Sequence, residues 1–193
     1  MLFHETGLSG AYLIDLEKRG DERGFFARQF CQREFAQLNL TTVFVQVNNS
    51  ASMESGTLRG MHYQLPPHAE TKMVRCIRGA IWDCILDLRW ESPTFGKWFG
   101  EVLSDENRRM MYVPKGFAHG FISLTPHAET FYFVDEFYAP QHEGGVRWND
   151  PQFAIKWPRT PQILSDKDRS YPDYNSQRDG HPVTIETSDS SGI

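Results

Sequence analysis

The clearest hydrophobic pattern in the chain is AIWDCILDLR, residues 80 to 89. Ala80, Trp82, Cys84, Leu86 and Leu88 occupy every second position, with Ile81, Asp83, Ile85, Asp87 and Arg89 between them. A period of two sends alternate side chains to opposite faces of a β-strand. ETFYFVDEFY (129–138) is β-prone throughout, and the same period sets Tyr132 and Tyr138 on one face. Shorter apolar runs at 11–14, 43–47, 73–77, 110–113 and 121–124 predict further strands, and SPTFG, SDEN, PKG and EGG predict turns between them. A short helix is predicted in QREFAQLNL, where Phe35 and Leu38 stand three apart. Many short strands separated by regular turns predict an all-β sandwich, jelly roll or barrel.

No internal repeat or interdomain linker interrupts this pattern. Residues 1–175 read as one domain, and 176–193 as a polar tail rich in Ser and Asp, its last dozen residues expected to be loose or partner-bound. The 193-residue length suits a single core. Composition changes the picture in three ways. Aromatic residues reach 13%, with 14 Phe and 5 Trp, which favours a β-rich interior or an aromatic-lined pocket. The net charge of −5 gives no broad basic surface for nucleic acid, so an anionic ligand would have to meet a local cluster of Arg and Lys. Three cysteines without a CxxC, no 18-residue apolar run and no signal-like N-terminus predict a cytoplasmic protein outside the membrane.

Two histidines sit in Gly-bearing motifs. Gly56 is followed after five residues by His62 in GTLRGMHYQ, and Pro114-x-Gly116-x-x-His119 follows in VPKGFAHG. This is the frame of a metal-binding cupin jelly roll. Gln64 stands where the second histidine ligand would be, and glutamine is a poor transition-metal ligand. With Glu70 as the carboxylate only two histidines would remain, so no metal is expected.

Seven blocks then occur in order: GTLRGMHYQ, KMVRCIRGAIWDCILDLR, SPTFGKWFG, LSDENRRMMYVPKGFAHGF, FYFVDEFYAP, EGGVRWNDP and LSDKD. Together, from about residue 8 to 170, they resemble the dTDP-4-dehydrorhamnose 3,5-epimerase family. The resemblance implies an all-β, metal-free cupin jelly roll with a few short helices, usually a homodimer. It implies no cofactor, and a nucleotide-diphosphate 4-keto-6-deoxyhexose as substrate. Matched motif by motif, it makes His62 the base, Tyr132 the proton donor on the opposite sugar face, Asp168 the partner of His62, and Lys72 a neighbour of the sugar. It places Arg23, Phe26, Arg28, Gln46 and Asn48 among the residues that hold the nucleotide sugar. Arg59, His119, Tyr138, Glu143 and Lys167 complete that set.

These residue types suit the implied chemistry. A C–H beside a ketone is weakly acidic, and removing its proton loads charge onto the carbonyl oxygen, so a base and a cation or donor are both needed. Arg23, Arg59 and Lys167 can meet a diphosphate despite the acidic total. The chain departs from the family pattern at Arg28, where a Glu usually stands, and at Asn49, where a His often follows. Those departures leave open a CDP- or other NDP-linked sugar. Action at C3 or C5 alone also remains open, as do the remoter readings of a metal-dependent oxygenase or a non-catalytic sugar-nucleotide binder. One conflict is geometric. Arg59 and His62 have opposite parity on a regular strand, so both can face one pocket only if Gly60 permits a bulge.

Overall fold

The computed structural model describes residues 1–175, and the expected polar tail lies outside them. In chain order the strands are β1 (Leu2–Glu5), β2 (Tyr12–Asp15), β3 (Arg19–Asp21), β4 (Gly24–Phe26), β5 (Gln46–Ser52), β6 (Leu58–Gln64) and β7 (Lys72–Arg78). They continue as β8 (Ala80–Asp87), β9 (Trp98–Ser104), β10 (Met110–Val113), β11 (Phe117–Ser123), β12 (Ala128–Val134) and β13 (Glu143–Gly145). Two short helices, α1 (Gln32–Ala36) and α2 (Asp166–Ser170), flank them. One antiparallel sheet has the order β1-β2-β10-β7-β12-β5, a second β13-β6-β11-β8-β9, and β3 and β4 form a separate hairpin. Apart from β1–β2 and β8–β9, neighbours in the two large sheets are not consecutive in sequence, as expected of the jelly roll that the all-β pattern and the family motifs predict.

Three buried clusters explain the alternation. Between the sheets, Leu13, Val74, Met111 and Ala128 from the first meet Ile81, Ile85, Leu103, Phe117 and Phe121 from the second. The outer face of the second sheet carries Met61, Tyr63, Cys84, Leu86 and Ala118, covered by Val146, Phe153 and Tyr174. The outer face of the first carries Ile14, Met73, Met110 and Tyr112, covered by Phe35 of α1. Phe35 is fully buried and meets Phe3 edge-on at 5.4 Å. Burial of such a side chain contributes roughly 1.5–3 kcal/mol.

The predicted strand at 80–89 is therefore apolar on both sides. Its Ile81–Asp83–Ile85 face is the interior of the jelly roll, and Asp83 is fully buried there. Several boundaries differ from the pattern. The strand expected at 43–47 is β5, which starts only at Gln46 and runs on to Ser52. EGG, expected as a turn, is strand β13 because it adds an edge to β6. The strand expected at 129–138 ends at Val134, which leaves Tyr138 in the following loop. Leu38 lies beyond α1 and is exposed.

The register resolves the parity conflict on β6. His119 of β11 pairs with His62, whereas Phe121 pairs with Arg59, so three steps on β6 match two on β11. The extra residue lies at Gly60–Met61. Beyond it, Met61 and Tyr63 pack outward while His62 turns inward with Arg59. Gly60 has φ +128°, a conformation that side-chain-bearing residues rarely adopt.

Candidate active site

Two adjoining cavities, of about 480 Å³ and 340 Å³, share three lining residues, His62, Lys72 and Tyr132. The first sheet supplies Lys72 from β7, Tyr132 from β12, and Gln46 and Asn48 from β5. Asn48 lies directly across from Tyr132, and Gln46 across from Val134, so these side chains share the inward face. The second sheet supplies Arg59 and His62 from β6, His119 from β11 and Glu143 from β13. Lys167 and Asp168 come from α2. A base and a phenol thus reach one site from opposing sheets.

Asp168 is almost fully buried, and its Oδ1 lies 2.6 Å from Nε2 of His62. Its own backbone N–H donates to the Ser165 hydroxyl at 3.0 Å, the N-cap contact that starts α2 and fixes the carboxylate. The Gly60 N–H approaches its other oxygen at 3.4 Å. Burial pushes the Asp168 carboxyl up, but hydrogen bonding and charge from His62 outweigh it and hold the group below its ordinary range. An ionised carboxylate only accepts, so Nε2 of His62 donates to it and Nδ1 is the ring nitrogen left free of that contact. With Nε2 tied to the carboxylate, the dyad leaves Nδ1 as the ring atom suited to taking a proton from carbon.

Lys72 Nζ is 3.0 Å from Glu70, and both side chains are largely buried. Glu143 Oε2 accepts from the Tyr138 hydroxyl at 2.8 Å and from Lys167 Nζ at 2.5 Å. Burial pushes Glu143 up, yet these two donors keep it low, and its hydrogen bond in turn pushes the Tyr138 phenol up. The Tyr138 N–H donates to Gln46 at 2.9 Å, which ties that loop to β5. Arg59 donates to the Ala51 carbonyl at 3.0 Å and remains exposed beside the cavity. His119 Nε2 lies 2.7 Å from the buried Asp83, a second histidine–carboxylate pair in the interior.

Most of the sequence-predicted residues therefore converge. Arg23, Phe26 and Arg28 do not. They lie on or just after the β3–β4 hairpin, where Arg23 is strongly exposed and pairs with Asp21, and Phe26 is 67% exposed. Phe26 and Arg28 line a separate hollow with Glu17 and Glu34. Asp83 and Glu70, the charged partners of His119 and Lys72, sit in no motif that announces those pairings. Asp83 shares its parity with Ile81 and Ile85 and enters the interior with them.

The candidate metal frame is engaged elsewhere. Gln64 is buried, its amide N–H groups donating to the His68 and Phe137 carbonyls while its oxygen accepts from Ala139 at 2.6 Å. It ties two loops to β6. Among the described residues, no group of three or more His, Cys, Asp or Glu is arranged to hold a metal ion.

Comparison with known proteins gives the same family as the motifs. A family model described as dTDP-4-dehydrorhamnose 3,5-epimerase matches residues 5–176. A dTDP-4-dehydrorhamnose 3,5-epimerase of Shigella flexneri is 48% identical over 165 residues, covering 85% of this chain and 91% of its own. The crystal structure of the Bacillus anthracis enzyme of that name, with TDP and PPi bound, superposes with a TM-score of 0.86 at 48% identity, covering 90% of this chain and 99% of its own. A Legionella pneumophila dTDP-6-deoxy-D-glucose-3,5-epimerase in complex with dTDP-4-keto-L-rhamnose gives a TM-score of 0.79 at 41% identity, covering 86% and 89% of the two chains. The chain belongs to the dTDP-4-dehydrorhamnose 3,5-epimerase family.

Proposed function

We propose that this protein converts dTDP-4-dehydro-6-deoxy-D-glucose to dTDP-4-dehydro-L-rhamnose by inverting C3 and C5. The observation that carries this reading is the entry of His62 and Tyr132 from opposing sheets into one pair of joined cavities, with Lys72 beside them in the lining of both. His62 takes the proton from the carbon beside the ketone, and the electron pair moves onto the carbonyl oxygen as an enolate. The Lys72 ammonium stabilises that charge. The enolate collapses as Tyr132 delivers a proton to the opposite face of the carbon; solvent then reprotonates the phenolate and takes the abstracted proton from His62. Asp168 holds the His62 tautomer and stabilises the imidazolium formed on proton transfer. The same residues serve each carbon, since both flank the one ketone.

Arg59 and Lys167 offer cations to the diphosphate at the wall of the larger cavity. Gln46, Asn48, Tyr138 and Glu143 form the polar wall of the smaller one. In the proposed homodimer, the exposed hairpin bearing Arg23, Phe26 and Arg28 serves the partner's cavity rather than its own, which reconciles their expected role with their position. The family and the dTDP- and TDP-bound relatives favour dTDP as the nucleotide. Incubation with the dTDP 4-keto sugar and assignment of the product by proton NMR tests the reading. The L-rhamno product supports it, and unchanged starting sugar contradicts it.

A further inference from the structure

Helix α2 delivers more than Asp168 to the back of His62. Asp168 lies inside α2, and Tyr171 is the C-cap residue just past its end, three positions on. The Tyr171 ring meets the His62 ring edge-on, with centroids 6.2 Å apart and planes at 65°. Gly145 pairs directly with His62 across β13 and β6. A Cβ at Gly145 would fall 2.2 Å from Cζ of Tyr171, so the absence of a side chain there is what admits the ring. Tyr171 lines neither cavity.

The ring and the hydroxyl have different standing. The Tyr171 hydroxyl is buried and has no hydrogen-bond partner among the described residues. Burial, with the Glu143 and Asp168 carboxylates nearby, pushes this phenol up, so it stays neutral. Lining neither cavity, it has no position from which to pass a proton to the sugar. An imidazole held by one hydrogen bond, at Nε2, can still swing about its Cβ–Cγ bond, and a packed ring edge removes that freedom.

We infer that Tyr171 is a positioning residue: its ring, seated over Gly145, clamps the His62 imidazole against Asp168 so that the free nitrogen stays aimed at the reacting carbon. The inference rests on His62 being the base of the proposed reaction. Because Tyr171 acts through His62 and not on the sugar, its loss falls on kcat and spares KM.

The test compares Tyr171→Phe and Tyr171→Ala in the full chain, by steady-state epimerisation and by NMR of the 15N-labelled His62 ring without substrate. Tyr171→Phe keeps kcat within about twofold of the parent and keeps the His62 ring signals. Tyr171→Ala lowers kcat by about tenfold or more at nearly constant KM, and its ring nitrogens shift toward a tautomer mixture. Unchanged kcat and ring signals in Tyr171→Ala overturn the inference, as does a Tyr171→Phe variant as impaired as the alanine one. If the alanine variant does not fold, Tyr171→Leu keeps apolar bulk without the ring edge, and the same two readouts decide. A parent protein without turnover would count against the proposed reaction. The His62 spectra would still report whether the clamp exists.

Discussion

Gly60 and Gly120 stand back to back on neighbouring strands. A Cβ built on Gly60 would lie 2.5 Å from the Gly120 Cα and 2.9 Å from the His119 carbonyl oxygen. This close approach at the bulge lets Arg59 and His62 enter one cavity despite their opposite parity. Gly60→Ala adds that clash to a backbone at φ +128°. It should cost on the order of 1–3 kcal/mol of stability, read as a lower denaturant midpoint. It should also lower turnover by misaligning Arg59 and His62. An unchanged midpoint with full activity would show that the bulge accommodates a side chain.

Asp168→Asn keeps the shape of the dyad and changes its proton. An amide can donate to Nε2 of His62, which moves the imidazole proton to Nδ1 and removes the lone pair proposed as the base. Loss of a positioned base costs about 10²- to 10⁴-fold. kcat should fall within that range, while the thermal unfolding midpoint moves far less than the rate. Near-parental kcat would remove Asp168 from the mechanism.

The same carboxylate sets an acid limit on stability. Folding holds Asp168 below its ordinary value of 3.8 and Glu143 below 4.5. A carboxyl depressed on folding contributes stability that is complete above its unfolded value and is lost as the pH falls through its folded one. Urea midpoints measured down from neutrality should hold steady until about pH 4–5 and then decline. Asp168→Asn should flatten the lower part of that decline. An identical acid profile in the variant would mean that the His62 contact does not contribute.

Tyr132 separates two halves of the reaction. Tyr132→Phe removes the donor on the far face and leaves His62 with Asp168. Exchange of the carbon-bound proton with solvent should continue from the His62 face, while inversion slows sharply. Parental yield of inverted product from this variant would exclude Tyr132 as the donor.

How much of this was readable from the chain depended on what each residue answers to. Ile81, Asp83 and Ile85 showed the strand but not its interior face, because a jelly roll covers both sides of that sheet and two-sided burial erases the usual polar face. His62 and Asp168 were found through ordered motifs. Their 2.6 Å contact joins positions 106 residues apart, and no local pattern encodes that distance. Gly60 as a bulge was readable from a contradiction in parity, since a regular strand could not bring Arg59 and His62 together. Glu143 was assigned a binding role within a predicted turn. The role fits a residue that faces Tyr138 and Lys167, while the turn proved to be a short edge strand. Asp83 and Tyr171 were passed over because each works on a histidine from a distant element.

Solvent exchange on the sugar tests the central claim most directly. Wild-type protein and His62→Ala are each incubated in heavy water with dTDP-4-dehydro-6-deoxy-D-glucose, and proton NMR follows H3 and H5 separately. The account predicts that the wild type loses both signals as the L-rhamno product forms, and that His62→Ala loses neither. Retention of both signals with the wild type, or their undiminished loss with His62→Ala, would contradict it.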